Sequence, residues 1–163
     1  MTFEEAIGEL GSPSTWCKGA AELAKIGGQR SLLALVRAYE APIESSKLCL
    51  LDAMVELDAR RAAPTIFDEG DAEHRRLALH LMELFADETF LERLENAARD
   101  PDTRIRAQAR RALSAQRRTD TWEAAIIRLI ETGDREAQAM ALECLASRKS
   151  PAAQAALAAY HRA

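Results

Sequence analysis

Five large apolar residues, Leu23, Met54, Met82, Leu113 and Leu145, recur along the chain 31, 28, 31 and 32 residues apart. Four residues before each stand Gly19, Leu50, Ala78, Ala109 and Ala141, mostly small, and four residues is one helical turn. A small residue one turn from a large one marks a helix face that a neighbouring helix can approach closely. A period of about thirty residues constrains the fold strongly. One such unit cannot bury its own apolar stripe, so stability requires that successive units stack.

The punctuation keeps the same period. Turn-forming stretches "GSPS" (11–14), "EAPI" (40–43), "EGDA" (69–72), "RDPD" (99–102) and "TGDR" (132–135) precede the repeated segments. Eleven residues before each anchor lie Ser12, Ile43, Asp71, Asp102 and Asp134, four of them good helix N-caps. Three residues after the anchors lie Ile26, Leu57, Phe85, Gln116 and Arg148, apolar in the first three units. Each unit continues into a second helical pattern, near 29–40, 60–69, 88–99, 120–132 and 151–162. Pro64 and Pro151 fall in or near first turns, where a missing amide hydrogen costs least. Alanine, leucine, glutamate and arginine dominate and no strand-like alternation occurs, so the fold class is all-α. The length of 163 residues suits a single domain. Its repeats run approximately over 12–41, 42–70, 71–100, 101–133 and 134–163.

The stretch "DPDTRIRAQARRAL" (100–113) resembles the PBS-lyase-type HEAT-like repeat, in which Asp, an apolar-Arg pair, Ala and Ala-Leu follow at helical spacing. "GAAELAKIGG" (19–28) and "HRRLALHLMELFAD" (74–87) resemble it more loosely. The resemblance implies a right-handed α-solenoid of about five repeats, first helices on the convex side and second helices on the concave side. It also implies a ladder between adjacent repeats, built here from Asp71, Arg75, Asp102, Arg106 and Asp134. Function does not follow from it, because this fold hosts adaptors, lyases, hydroxylases and DNA-repair proteins.

Residues 100–118 hold six arginines in a chain of net charge −4. On a helical wheel Ile105, Ala109, Ala112 and Leu113 share the core face. Arg104, Arg111 and Arg118 line one flank, and Arg106, Arg110 and Arg117 the other. The split argues against a nucleic-acid helix, as do the negative net charge and the lack of tyrosine or phenylalanine among the arginines. Arg104, Arg110, Arg111, Arg117 and Arg118 remain as a basic docking surface or as solvated stems over an alanine-rich helix.

Three dispersed cysteines, Cys17, Cys49 and Cys144, read as reduced core residues of a cytoplasmic protein. No apolar run is long enough to span a membrane, and the acidic start "MTFEEAIGEL" is unlike a signal peptide. His74, His80 and His161 make no metal motif. No His-Glu dipeptide occurs, which disfavours the di-iron chemistry of deoxyhypusine hydroxylases, relatives within the resembled repeat class. No nucleophile–base pair, phosphate loop or cofactor motif is readable, and no cofactor is expected. These observations favour a non-catalytic module, an adaptor, scaffold or regulator, that binds another protein on the concave face, as a monomer or weak oligomer. The contact residues would be Arg30, Arg37, Tyr39, Arg61, Glu92, Asn96, Arg99, Trp122 and Arg128. The alternative is an enzyme or enzyme subunit related to chromophore lyases or DNA-repair glycosylases.

Overall fold

The computed structural model describes residues 1–42 and 46–163. Among the described residues the chain is helical throughout: α1 (Phe3–Glu9), α2 (Trp16–Ile26), α3 (Gly28–Glu40), α4 (Leu48–Glu56), α5 (Ala59–Glu69), α6 (Ala72–Leu84), a 3-10 turn (Glu88–Phe90), α7 (Leu91–Ala97), α8 (Thr103–Ser114), α9 (Asp120–Thr132), α10 (Arg135–Ala146) and α11 (Pro151–Arg162). No strand occurs among them. The chain forms two compact units, residues 1–81 and 82–163, with the division inside α6.

Leu23, Met54, Met82, Leu113 and Leu145 are all fully buried. So are Leu50, Ala78, Ala109 and Ala141 one turn earlier, and Gly19 is buried as well. The expected second helices fall on α3, α5, the 3-10 turn with α7, α9 and α11. In the first unit α2 packs on α4 and α3 on α5. In the second unit α8 packs on α10, while α7 and α11 both pack on α9. The column three residues past the anchors is not core. Ile26 is 43% exposed, and Gln116 is buried as a polar residue whose amide donates to the Met82 and Ala112 carbonyls.

Side-chain caps set several helix starts. Asp102 accepts from the Arg104 and Ile105 amides, Asp134 from that of Ala137, and Asp71 from that of His74. Ser12 is not a cap: α2 starts four residues later, and the Ser12 hydroxyl pairs with that of Ser14. Ile43 lies outside the described residues. Pro151 is the first residue of α11, behind the Ser150 cap. Pro64, expected in a first turn, is the sixth residue of α5, where it removes an internal amide donor.

Helix α1 has no counterpart in the thirty-residue pattern. It starts with a reciprocal cap, in which the Glu5 amide donates to the Thr2 hydroxyl and the Thr2 amide to the Glu5 carboxylate. It lies so close to α2 that a Cβ on Gly19 would stand 2.7 Å from the Ala6 carbonyl oxygen and 3.0 Å from the Glu9 Cβ. The first obstacle is backbone and cannot swing aside. Gly19→Ala is therefore expected to lower stability by about 1–3 kcal/mol, as overpacking does, and to raise hydrogen exchange over residues 3–9. Unchanged protection of α1 would contradict this packing.

Cys17 and Cys49 form a disulfide, with Cα atoms 5.3 Å apart, between the first turns of α2 and α4. This corrects the expectation of three reduced thiols; only Cys144 is free. The cytoplasmic placement inferred from those thiols loses that basis. No helix among the described residues is long and apolar enough to cross a membrane.

Candidate functional site

The first unit carries two adjoining grooves that share Gln29. The larger, about 810 Å³, runs between α1 and α3. Phe3, Ile7, Leu10, Leu33 and Ala34 line it, and Arg30, Arg37 and His74 add charge or polarity. On α1, Ala6 turns into the core, while Ile7 stays 37% exposed on the groove side. The smaller, about 390 Å³, lies between α3 and α5, with Leu32, Leu57 and Ile66 on its walls and Asp58, Arg61 and Thr65 beside them.

Three of the expected contact residues, Arg30, Arg37 and Arg61, are therefore brought to these grooves. Arg30 is partly committed: it donates to Glu4 at 3.0 Å and lies 3.8 Å over the Phe3 ring. Arg37 and Arg61 are exposed and make no hydrogen bond or ion pair among the described residues. The Asp71 carboxyl is held below its usual range by the His74 amide first, with a smaller contribution from the charge of Arg37.

Tyr39 sits apart from the grooves, half-buried in a polar knot at the end of α3. Its ring meets His80 edge-on at 5.8 Å, and the Lys47 ammonium lies 5.0 Å from its centroid. Lys47 donates to the Tyr39 carbonyl and, at 2.8 Å, to that of Ala41. Beside it the Glu40 carboxylate accepts a fork from Arg76 at 2.6 and 2.9 Å and pairs with the His80 Nδ1 at 2.8 Å. Burial acts to raise the Glu40 carboxyl, but the Arg76 and His80 hydrogen bonds outweigh it and the net shift is downward. Arg76 is matched a second time by Glu73, at 3.0 Å. Every charge in this knot already has a partner, so it is built to lock α3 to α6.

In the second unit the expected contacts separate into different roles. Glu92 and Asn96 are exposed on α7. Arg99 donates to the Thr132 hydroxyl at 2.6 and 3.0 Å and to Glu95. Arg128 forks onto the same Glu95 at 2.8 Å, and its hydrogen bonds lead in holding that carboxyl low. Both arginines tie the α7 end to α9, Arg99 through the Thr132 hydroxyl and Arg128 through Glu95, an acid that sequence reasoning passed over. Trp122, expected as a contact residue, is fully buried, and its indole donates to the Leu113 carbonyl at 2.9 Å.

The chain matches no family model, and it matches no curated protein. Its own geometry is what bears on function. Among the described residues no group of three His, Cys, Asp or Glu side chains is arranged to hold a metal ion.

The arginine-rich helix α8 loses its most central docking candidate. Arg110 is 8% exposed and donates to the Ala98 carbonyl at 3.2 Å, to both Asp134 oxygens at 2.9 Å and to Glu136 at 3.0 Å. It, rather than Arg106, makes the close contact to Asp134, because Arg106 turns to the Asp100 carbonyl and leaves its Nε 3.9 Å from Asp134. Arg75 lies over the Phe67 ring at 4.8 Å. Arg111 donates to Gln108, and Arg118 covers the Trp122 ring at 4.1 Å. Arg104 and Arg117 are exposed.

Proposed function

We propose that the chain is a non-catalytic protein–protein interaction module, an adaptor, scaffold or regulator, and that it takes its partner on the second-helix side of the first unit. The observation that carries the reading is the apolar groove between α1 and α3 with the exposed Arg37 on its rim. An apolar floor supplies desolvation energy, and an uncommitted guanidinium on the edge selects an acidic flank on the incoming surface. The accompanying solenoid reading, five HEAT-like repeats, rests on the buried anchor column and on the alternate-helix packing within each unit.

Charge reversal at Arg37 is the direct test, because that exposed side chain makes no hydrogen bond among the described residues and acts on the fold only through a minor charge interaction with Asp71. In quantitative affinity purification from the native cell, Arg37→Glu and Ile7→Glu are each expected to reduce partner recovery at least about tenfold, with helicity and melting unchanged. Arg117→Glu, exposed on the second unit, serves as the control. Equal recovery with all three variants would overturn the reading. Arg99→Glu is a poor probe, since it also breaks the Thr132 and Glu95 contacts.

A further inference from the structure

We propose that the Cys17–Cys49 pair is a thiol–disulfide exchange site that reacts with low-molecular-weight thiols of the glutathione type. Three observations combine. The pair bridges two packed helices, α2 and α4, through cysteines 32 residues apart. Cys17 is an exposed residue and Cys49 a half-buried one, so the Cys17 end of the bridge is the more open to solvent. Both cysteines are the second residue of their helix, and neither helix start carries a side-chain cap.

α2 and α4 share the missing cap with α3, α5 and α7, whereas α1, α8, α9, α10 and α11 each begin with a hydroxyl or carboxylate on their first-turn amides. Of the uncapped helices, α2 and α4 are the two that carry the bridged cysteines. At α2 the residue in the cap position, Thr15, turns its hydroxyl away and donates it to the Glu9 and Ser12 carbonyls. At α4 the cap position is Lys47, which has no acceptor to offer and extends its ammonium to Tyr39 and Ala41. At both ends of the bridge the first-turn amides therefore carry no side-chain acceptor. Free helix N-terminal amides stabilise a thiolate, which lowers thiol pKa and makes the sulfur a better leaving group. A buried structural bridge has neither the access nor this stabilisation.

The exchange proceeds in two displacements. An external thiolate attacks the Cys17 Sγ, the S–S bond breaks, and its electron pair leaves on the Cys49 Sγ as a thiolate. A mixed disulfide remains on Cys17. A second external thiolate attacks the outer sulfur of that mixed disulfide and releases the Cys17 thiolate. Two thiols are oxidised to one external disulfide, and the protein pair gains two electrons and two protons. Oxidation therefore staples α2 to α4 and reduction releases them.

The test uses the full chain as Cys144→Ser, with intact-mass measurement on the wild type as a check that needs no substitution. Air-oxidised protein, denatured in urea, should show no free thiol, and finding both thiols free would overturn the proposal. Reduced glutathione should open the bridge in the native protein within about tenfold of its rate in the unfolded chain. A bridge that opens only on unfolding would mark a purely structural disulfide and overturn it. After reduction, Cys17 in the native protein should react with iodoacetamide at neutral pH about tenfold faster than in the unfolded chain. Equal or slower alkylation would show that the helix ends do not act on the sulfur and would likewise overturn it.

Discussion

Trp122→Ala is expected to lower the stability of the second unit by about 3–5 kcal/mol, the range for removing a fully buried large aromatic side chain. Its ring is sealed on every side: relative exposure is zero, the guanidinium of Arg118 covers one face at 4.1 Å, and the indole nitrogen is satisfied by the Leu113 carbonyl on α8. The cavity would open between α8 and α9, and the Leu113 carbonyl would lose a donor. Trp122→Phe separates the two effects, since it keeps most of the volume and drops the hydrogen bond, at a cost of about 1–3 kcal/mol. Trp16 supplies the contrast. It is 2% exposed, but its indole nitrogen has no partner, so Trp16→Phe removes no hydrogen bond and should cost less than Trp122→Phe. Urea unfolding followed by circular dichroism measures all three. A Trp122→Ala protein that unfolds like the wild type yet loses its partner would restore the residue to an interface role.

The difference between core and contact at Trp122 was legible in the chain. Trp122, Ala125, Ile126 and Leu129 follow one another at the spacing of a single helix face, and all four are buried. The second-helix positions were legible for the same reason: α3, α5, α9 and α11 each carry an amphipathic stripe, and α9 and α11 also carry a side-chain cap, all signals within ten or so residues. Helix α1 is too short to show a period, and its one readable sign was Thr2 followed three residues later by Glu5.

What the chain did not disclose depends on how neighbouring helices are placed. The wheel puts Arg106 and Arg110 on one flank of α8, but which of them meets Asp134 depends on the offset between α8 and α10, and Arg110 has the reach. The disulfide is an intermediate case. Cys17 and Cys49 stand about one repeat apart in equivalent first turns, and equivalent helices of consecutive repeats pack side by side, so the period itself held the clue. The grooves join residues such as Ile7 and Arg37 across a helix pair that no local pattern links.

Glu123 was equally hidden, as one acid among many on an acidic chain, and replacing it carries the other large effect. It is 4% exposed, it accepts from Arg148 at 2.7 Å, and it accepts the hydroxyl proton of Ser150. Ser150 in turn caps α11 by accepting the Ala153 amide, so one carboxylate fixes both the turn after α10 and the start of the last helix. Glu123→Ala leaves Arg148 without its partner and frees the cap to rotate. The expected loss at neutral pH is about 3–5 kcal/mol, as for a broken buried ion pair, and toward the lower figure because Arg148 is one-quarter exposed and can turn to water. The Ser150 and Arg148 hydrogen bonds hold the Glu123 carboxyl below the usual glutamate range. A folded-state value below the unfolded one means that this contribution is complete above the unfolded value, about 4.3, and is lost as pH falls through the lower folded value. The stability gap between wild type and Glu123→Ala should therefore be widest at neutral pH and shrink in acid. Glu123→Gln, which cannot titrate, should show none of that pH dependence. Hydrogen exchange over residues 151–162 locates the loss in α11, and urea titrations from neutral to acid pH measure the gap. A gap under about 1 kcal/mol at neutral pH, or one that does not change with acid, would mean that the carboxylate is a bystander to the packing around it.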